Sequence, residues 1–314
     1  MNATTANLAP PQWGDGTLPA PVSGQYHEFT TPVGRLAYYS ANPEGGSKLP
    51  PLLLIHSINA AASAYEVKPL YEHYRQFRTV YALELPGFGH SDRSKRVYSV
   101  RIMTDAILAM LRVIQDDHGR TPIDALAVSL SSEFLARAVT EIPLAFRSAA
   151  LVSPTGFTTT KNKSKDKDGT RAMPWLHAIF DFPLWSEGFF RLLSSRPSIR
   201  FFLKKTWGSD NYDRGLAEYD YITSHQSGAQ HAPYYFVSGY LFSKDILRFY
   251  HALTLPVWMS HGVRGDFVDY GEKSSVEGRA NWRIDIFQTG AMPHMEAEAA
   301  FIARYDEFLA TVAE

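Results

Sequence analysis

Residues 127–131 read Ala127-Val128-Ser129-Leu130-Ser131, with a small residue two places before and two places after a serine. A strand-like apolar run, Ile123–Val128, ends at that serine, and a helical pattern starts behind it. A serine on so sharp a strand-to-helix turn has a strained backbone, which only small neighbours accommodate. The turn lifts the hydroxyl clear of a sheet. It also points the helix N-terminus at the place where an oxyanion forms. This suits a nucleophile, although a serine that only caps a helix reads the same way locally.

A serine nucleophile needs a base, and the base needs an orienting carboxylate. His294, in Gly290-Ala291-Met292-Pro293-His294-Met295-Glu296, stands between the last strand pattern and the last helix pattern. Asp266 stands in His261-Gly262-Val263-Arg264-Gly265-Asp266-Phe267-Val268, behind the strand ending at Ser260, and Asp269 is its rival. The chain order is Ser, Asp, His. Leu85-Pro86-Gly87-Phe88-Gly89-His90-Ser91-Asp92 closes an earlier buried strand with a turn signal.

On the elbow, the Leu85–Asp92 turn and the Pro293-His294 segment, the chain resembles the α/β-hydrolase superfamily in its capped form, over roughly Gln25 to Ala313. The resemblance implies that Ser129 attacks, His294 moves the proton and Asp266 holds the imidazole. Asp266 is favoured over Asp269 because it lies nearer the strand end and precedes the Phe-Val pair common in that loop. The resemblance also implies an oxyanion hole built from the N–H of Leu130 and of Ile58. The loop carrying Ile58 is His56-Ser57-Ile58-Asn59-Ala60-Ala61, where Ser57 replaces the usual glycine; Ala127 and Ser131 likewise replace the elbow glycines. Asn59 and Ser57 are candidate pocket residues, with Asn59 more readily a turn stabiliser. Asp92, His56 and His261 read as structural, and Glu133, one turn into the elbow helix, has no assigned role.

The elements that must position these residues follow from apolar patterning. Pro51–His56, Thr79–Leu85, Ile123–Val128 and Ala149–Val152 are continuous apolar runs of strand length. Helical stripes separate them, as in Met103, Ile107, Met110, Leu111 and Ile114. Strand and helix alternate, so the fold class is α/β with a mostly parallel sheet flanked by helices. A hairpin at Gln25–Thr30 and Leu36–Ser40 precedes them. The expected organisation is a flexible tail over 1–23, a core over 24–156 and 249–314, and a mostly helical insertion over 157–248, which the resemblance implies is a lid inserted after strand six. That insertion is dense in aromatics, which suggests an apolar or aromatic small-molecule substrate.

The chain has 314 residues, 45% hydrophobic and 20% charged, with a formal net charge of -1. Such a balance points away from nucleic acid and anionic membranes. The basic run Lys161–Asp168 is broken by aspartates and reads as a solvated loop. There are no cysteines, which excludes disulfides and thiolate chemistry. No leader pattern or membrane-length apolar run is present, so a cytoplasmic location is expected. A homodimer stays open. The leading expectation is a cofactor-independent, metal-free serine esterase working through an acyl-enzyme on Ser129. The alternatives are a carbon–carbon bond hydrolase, perhydrolase or lyase using the same triad, and a ligand-binding module with little turnover.

Overall fold

The computed structural model describes residues 12–13, 16–159 and 169–312. Its centre is an eight-stranded sheet. The strands are β1 (Gln25–Thr31), β2 (Gly34–Ala41), β3 (Leu52–Ile55), β4 (Val80–Glu84), β5 (Ile123–Val128), β6 (Phe146–Val152), β7 (Val257–His261) and β8 (Trp282–Ile286). Their spatial order is β8-β7-β6-β5-β3-β4-β2-β1. The six strands from β8 to β4 run parallel, and β2 and β1 join antiparallel at one edge.

The central strands are short and wholly apolar on both faces because helices cover both. Alternate residues part cleanly. Leu53, Ile55, Ala125, Ala127, Leu151 and Met259 enter one core with α2 (Val100–His118) and α3 (Ser131–Glu141). Leu52, Leu54, Leu126, Val128, Val152 and Trp258 enter the other with α1 (Lys68–Tyr74) and α11 (Glu298–Val312). Asp124 is the polar exception on β5. It is fully buried, and Arg78, Arg147 and Ser148 saturate its carboxylate. Paired in that way, a buried charge is tolerated. Ser99 caps α2 by accepting from the Ile102 N–H, and Gly119 ends it at positive φ.

Between β6 and β7 the described residues form six helices: α4 (Pro174–Phe180), α5 (Ser186–Leu193), α6 (Arg196–Trp207), α7 (Arg214–Ser224), α8 (His231–Val237) and α9 (Ile246–Ala252). These helices follow the sixth sheet strand in the chain, and the boundary expected at 248 falls inside α9. A short helix, α10 (Pro293–Glu296), precedes α11. The Lys161–Asp168 run and residues 1–11 lie outside the described residues. The rest of the expected tail is not all loose. Leu18 is fully buried, its carbonyl accepts from His90 Nε2, and Ser23 bonds to Glu72.

Candidate active site

Ser129 joins β5 to α3 with φ of 54°, one of two non-glycine residues at positive φ among those described. The other, Ser153 (φ 48°), ends the neighbouring strand β6. Such a conformation costs about 1–3 kcal/mol, so the surrounding structure must hold it. Here the Ser129 N–H donates to the Val152 carbonyl at 2.7 Å, and its own carbonyl accepts from the Ser132 N–H. Ala127 and Ser131 are fully buried beside it and leave room for the turn. The Leu85–Asp92 turn is as tightly made: a Cβ on Gly89, at φ 49°, would fall onto the Glu84 carboxylate.

Above Ser129 lies a cavity of about 340 Å³. Leu130, Ile58, Asn59, Ser57 and Asp266 also line it, so the elbow and both expected oxyanion residues meet there. Leu203, Trp207, Leu216 and Phe236 come from the inserted helices. Of the aromatics that crowd the insertion, Trp207, Phe236 and Phe242 face the cavity, whereas Trp175, Phe182, Trp185, Phe201 and Phe202 are exposed. Aromatic density there is therefore mostly surface and intersegment packing, and it does not report the ligand.

The expected triad is not assembled. His294 is absent from the cavity lining and fully buried. Its Nε2 donates to the Glu66 backbone carbonyl at 2.7 Å, and its Nδ1 has no partner among the described residues. Burial pushes this imidazole down to about 4, so it is neutral with the proton on Nε2. Asp266 is half exposed and pairs with Lys205 at 2.6 Å rather than with His294. The rival Asp269 accepts from Thr159 and from the Gly271 N–H, a turn role, and the Thr159 hydroxyl holds it below the usual carboxylate range.

The cause is local. The Ala291 N–H donates to the Thr206 carbonyl at the end of α6, and Ala291 and Met292 line the cavity. Pro293 then starts α10, which carries His294 inward towards Glu66. A Cβ on Gly290 would lie 2.4 Å from the Thr206 oxygen, so this loop presses directly on α6.

The loop after β3 is governed by a residue that sequence reading missed. Glu66, 2% exposed, accepts from the Ser57 N–H and hydroxyl and from Asn59 Nδ2. Asn59 Oδ1 accepts from the Ala61 N–H, so Asn59 stabilises the turn with both ends engaged. His56 fastens this loop to β4: Nδ1 donates to the Ser57 carbonyl and Nε2 accepts from the Leu85 N–H. Burial lowers His56 to about 4. His261 stacks on Tyr270 at 4.1 Å and donates to the Gly262 carbonyl. Asp92 accepts from the Ser94 N–H and pairs with Arg96.

A second missed residue is Asp220 of α7. It is 7% exposed, lines the cavity, and its Oδ1 has no partner among the described residues. Burial, with the charges of Glu66 and Asp213, raises its carboxyl well above the usual range. Glu133 acquires an account as well. Fully inside, it accepts from the Thr155 hydroxyl at 2.5 Å and from the Ser243 N–H at 2.9 Å. It ties the elbow helix to the end of the insertion. The one sequence signal for Glu66 and Asp220 is a lone carboxylate among apolar neighbours, Ala64–Leu70 and Tyr219–Tyr221.

The sheet order, the elbow and the cavity over it agree with a family model described as alpha/beta hydrolase fold, which matches residues 50–203. The chain has the α/β-hydrolase fold. Solved structures of similar shape include a bacterial membrane phospholipase A, at 16% identity and TM-score 0.69, covering 92% of this chain and 87% of that one. An epoxide hydrolase aligns at 17% identity and TM-score 0.68, over 92% and 99%. A meta-cleavage product hydrolase from Pseudomonas fluorescens aligns at 17% identity and TM-score 0.66, over 93% and 98%. No curated protein matches the sequence. Among the described residues no group of three or more His, Cys, Asp or Glu could hold a metal ion. No described helix is long and apolar enough to cross a membrane.

Proposed function

We propose that this chain captures a compact, largely apolar small molecule in the cavity over Ser129 and turns it over little. The observation that carries this reading is the wall contributed by the loop after β8. Ala291 and Met292 stand there, while His294 is buried with its only N–H on the Glu66 carbonyl. A serine hydroxyl without a positioned base is a poor nucleophile. Binding does not need the base, and the cavity, the elbow and the oxyanion loop all remain.

A second reading rests on Ser129 itself. Its positive φ places the hydroxyl as in a nucleophile elbow, and Leu130 and Ile58 line the same cavity. On that reading the protein cleaves a carboxylic ester or related acyl bond through an acyl-enzyme on Ser129. The same serine serves for carbon–carbon bond cleavage, a reaction class represented among its structural neighbours. Either chemistry requires His294 to leave Glu66, or another group to take the proton.

Labelling with a fluorophosphonate probe separates the two. Capture with little turnover predicts faint labelling of the wild type beside an ordinary serine esterase. Strong labelling that Ser129→Ala abolishes overturns it in favour of the acyl-enzyme.

A further inference from the structure

Asp220 is a built feature of the cavity that neither the elbow nor the oxyanion loop uses. It sits on α7 and is nine-tenths buried, and its Oδ1 meets no hydrogen-bond partner among the described residues. No salt bridge to it is formed among those residues either. The nearest charges it feels are themselves negative: Glu66 from the segment before α1, and Asp213 from the N-cap of its own helix. Arg171, Asp266 and Asp269 line the same cavity, but all three belong to its exposed rim. Tyr65, which stacks on Tyr219 one residue before Asp220, is the other titratable group close to it.

Burial without a cation strongly disfavours a carboxylate, so the group holds its proton. A protonated carboxyl is a donor as well as an acceptor. No hydrogen bond joins Asp220 to Glu66 among the described residues, where Glu66 accepts from Ser57 and Asn59 instead. The donor is therefore left for whatever occupies the cavity.

We infer that Asp220 is the specificity-determining residue of this cavity, donating a hydrogen bond to an oxygen acceptor on a neutral ligand such as a ketone, ester or amide. The inference rests on the capture reading and names the ligand class. It also says what is refused: a carboxylate of the same shape would bring a third negative charge beside Glu66 and Asp213, and Asp220 would face it across a desolvated gap.

Calorimetric titration of the full chain with 4-phenyl-2-butanone and 3-phenylpropionate tests this, since the two differ chiefly in neutral ketone against carboxylate. At pH 7 the ketone is expected to bind about tenfold more tightly or better, the worth of one buried hydrogen bond plus the avoided charge. Asp220→Asn keeps a donor and should hold ketone affinity within about threefold. Asp220→Leu should lose about tenfold. Equal or tighter binding of the carboxylate, binding of neither probe, or unchanged ketone affinity in Asp220→Leu each overturns the inference. An independent readout needs no ligand. The infrared difference between wild type and Asp220→Asn at pH 7 should show a protonated carboxyl band belonging to the wild type, and its absence also overturns the inference. Neither measurement depends on Ser129 turnover, so a failed capture reading shows in probe labelling and a failed assignment of Asp220 shows here.

Discussion

Ala291 and His294 are three residues apart, and the start of α10 at Pro293 decides which of them meets the cavity. Ala291 holds the position facing the same space as Ser129, and a methyl group moves no proton. Ala291→His should therefore place an imidazole where the present chain has none. A positioned general base is worth roughly 10²–10⁴-fold, so fluorophosphonate labelling of Ser129 should accelerate by at least about tenfold even with imperfect geometry. The double variant carrying Ser129→Ala should not label. No acceleration in a folded Ala291→His protein would mean that the loop does not aim this position at the serine. In the sequence, His294 stood out because it was the imidazole after the last strand. Linear order cannot say which residue of Gly290–Glu296 faces inward. That depends on the Ala291 N–H reaching Thr206 on a distant helix.

At the scale of elements, Glu133 is the bond between the elbow helix α3 and the inserted helices. It accepts from Thr155 behind β6 and from Ser243 ahead of α9, and it is buried. Removing it leaves the buried Ser243 N–H and the half-buried Thr155 hydroxyl without their acceptor. Glu133→Ala should then lower stability by about 2–4 kcal/mol, read as a shift in the urea midpoint. Glu133→Gln should recover part of it, because the amide oxygen still accepts from Ser243. A loss below about 0.5 kcal/mol would deny the tie. The alternating strands and helices were legible in sequence because short continuous apolar runs such as Ile123–Val128, bounded by turn signals, suit strands buried on both faces. The walls of the cavity were not. Leu203, Trp207, Leu216 and Asp220 come from α6 and α7, where no sheet periodicity says which face turns inward. Charge spacing alone could not mark Glu66 as the holder of the loop after β3.

Over the whole molecule, buried titratable groups set how stability follows pH. His56 and His294 sit at about 4 in the fold against about 6.5 when unfolded. A lowered value contributes stability that is complete above pH 6.5 and is lost as pH falls towards 4. Glu66 and Asp220 run oppositely. Burial raises both, so their contribution is complete at low pH and fades as pH rises through their raised values. The urea midpoint should fall from pH 6.5 to pH 4. In His294→Gln, which keeps a donor for the Glu66 carbonyl, that fall should be smaller. An identical fall in both proteins would remove His294 from the account.

The last turn of α6 accepts from both loops that border the elbow, through Thr206 to Ala291 and through Lys205 to Asp266. The inner wall of the cavity is thus riveted to the body on two sides. A helix so fastened does not swing aside like a door. On the proposed capture reading, molecules come and go past the exposed rim, where Thr158, Arg171, Phe267 and Asp269 stand. Changes at Phe267 will therefore be felt as altered entry and residence times, while how snugly the guest fits is settled deeper, out of reach of the threshold.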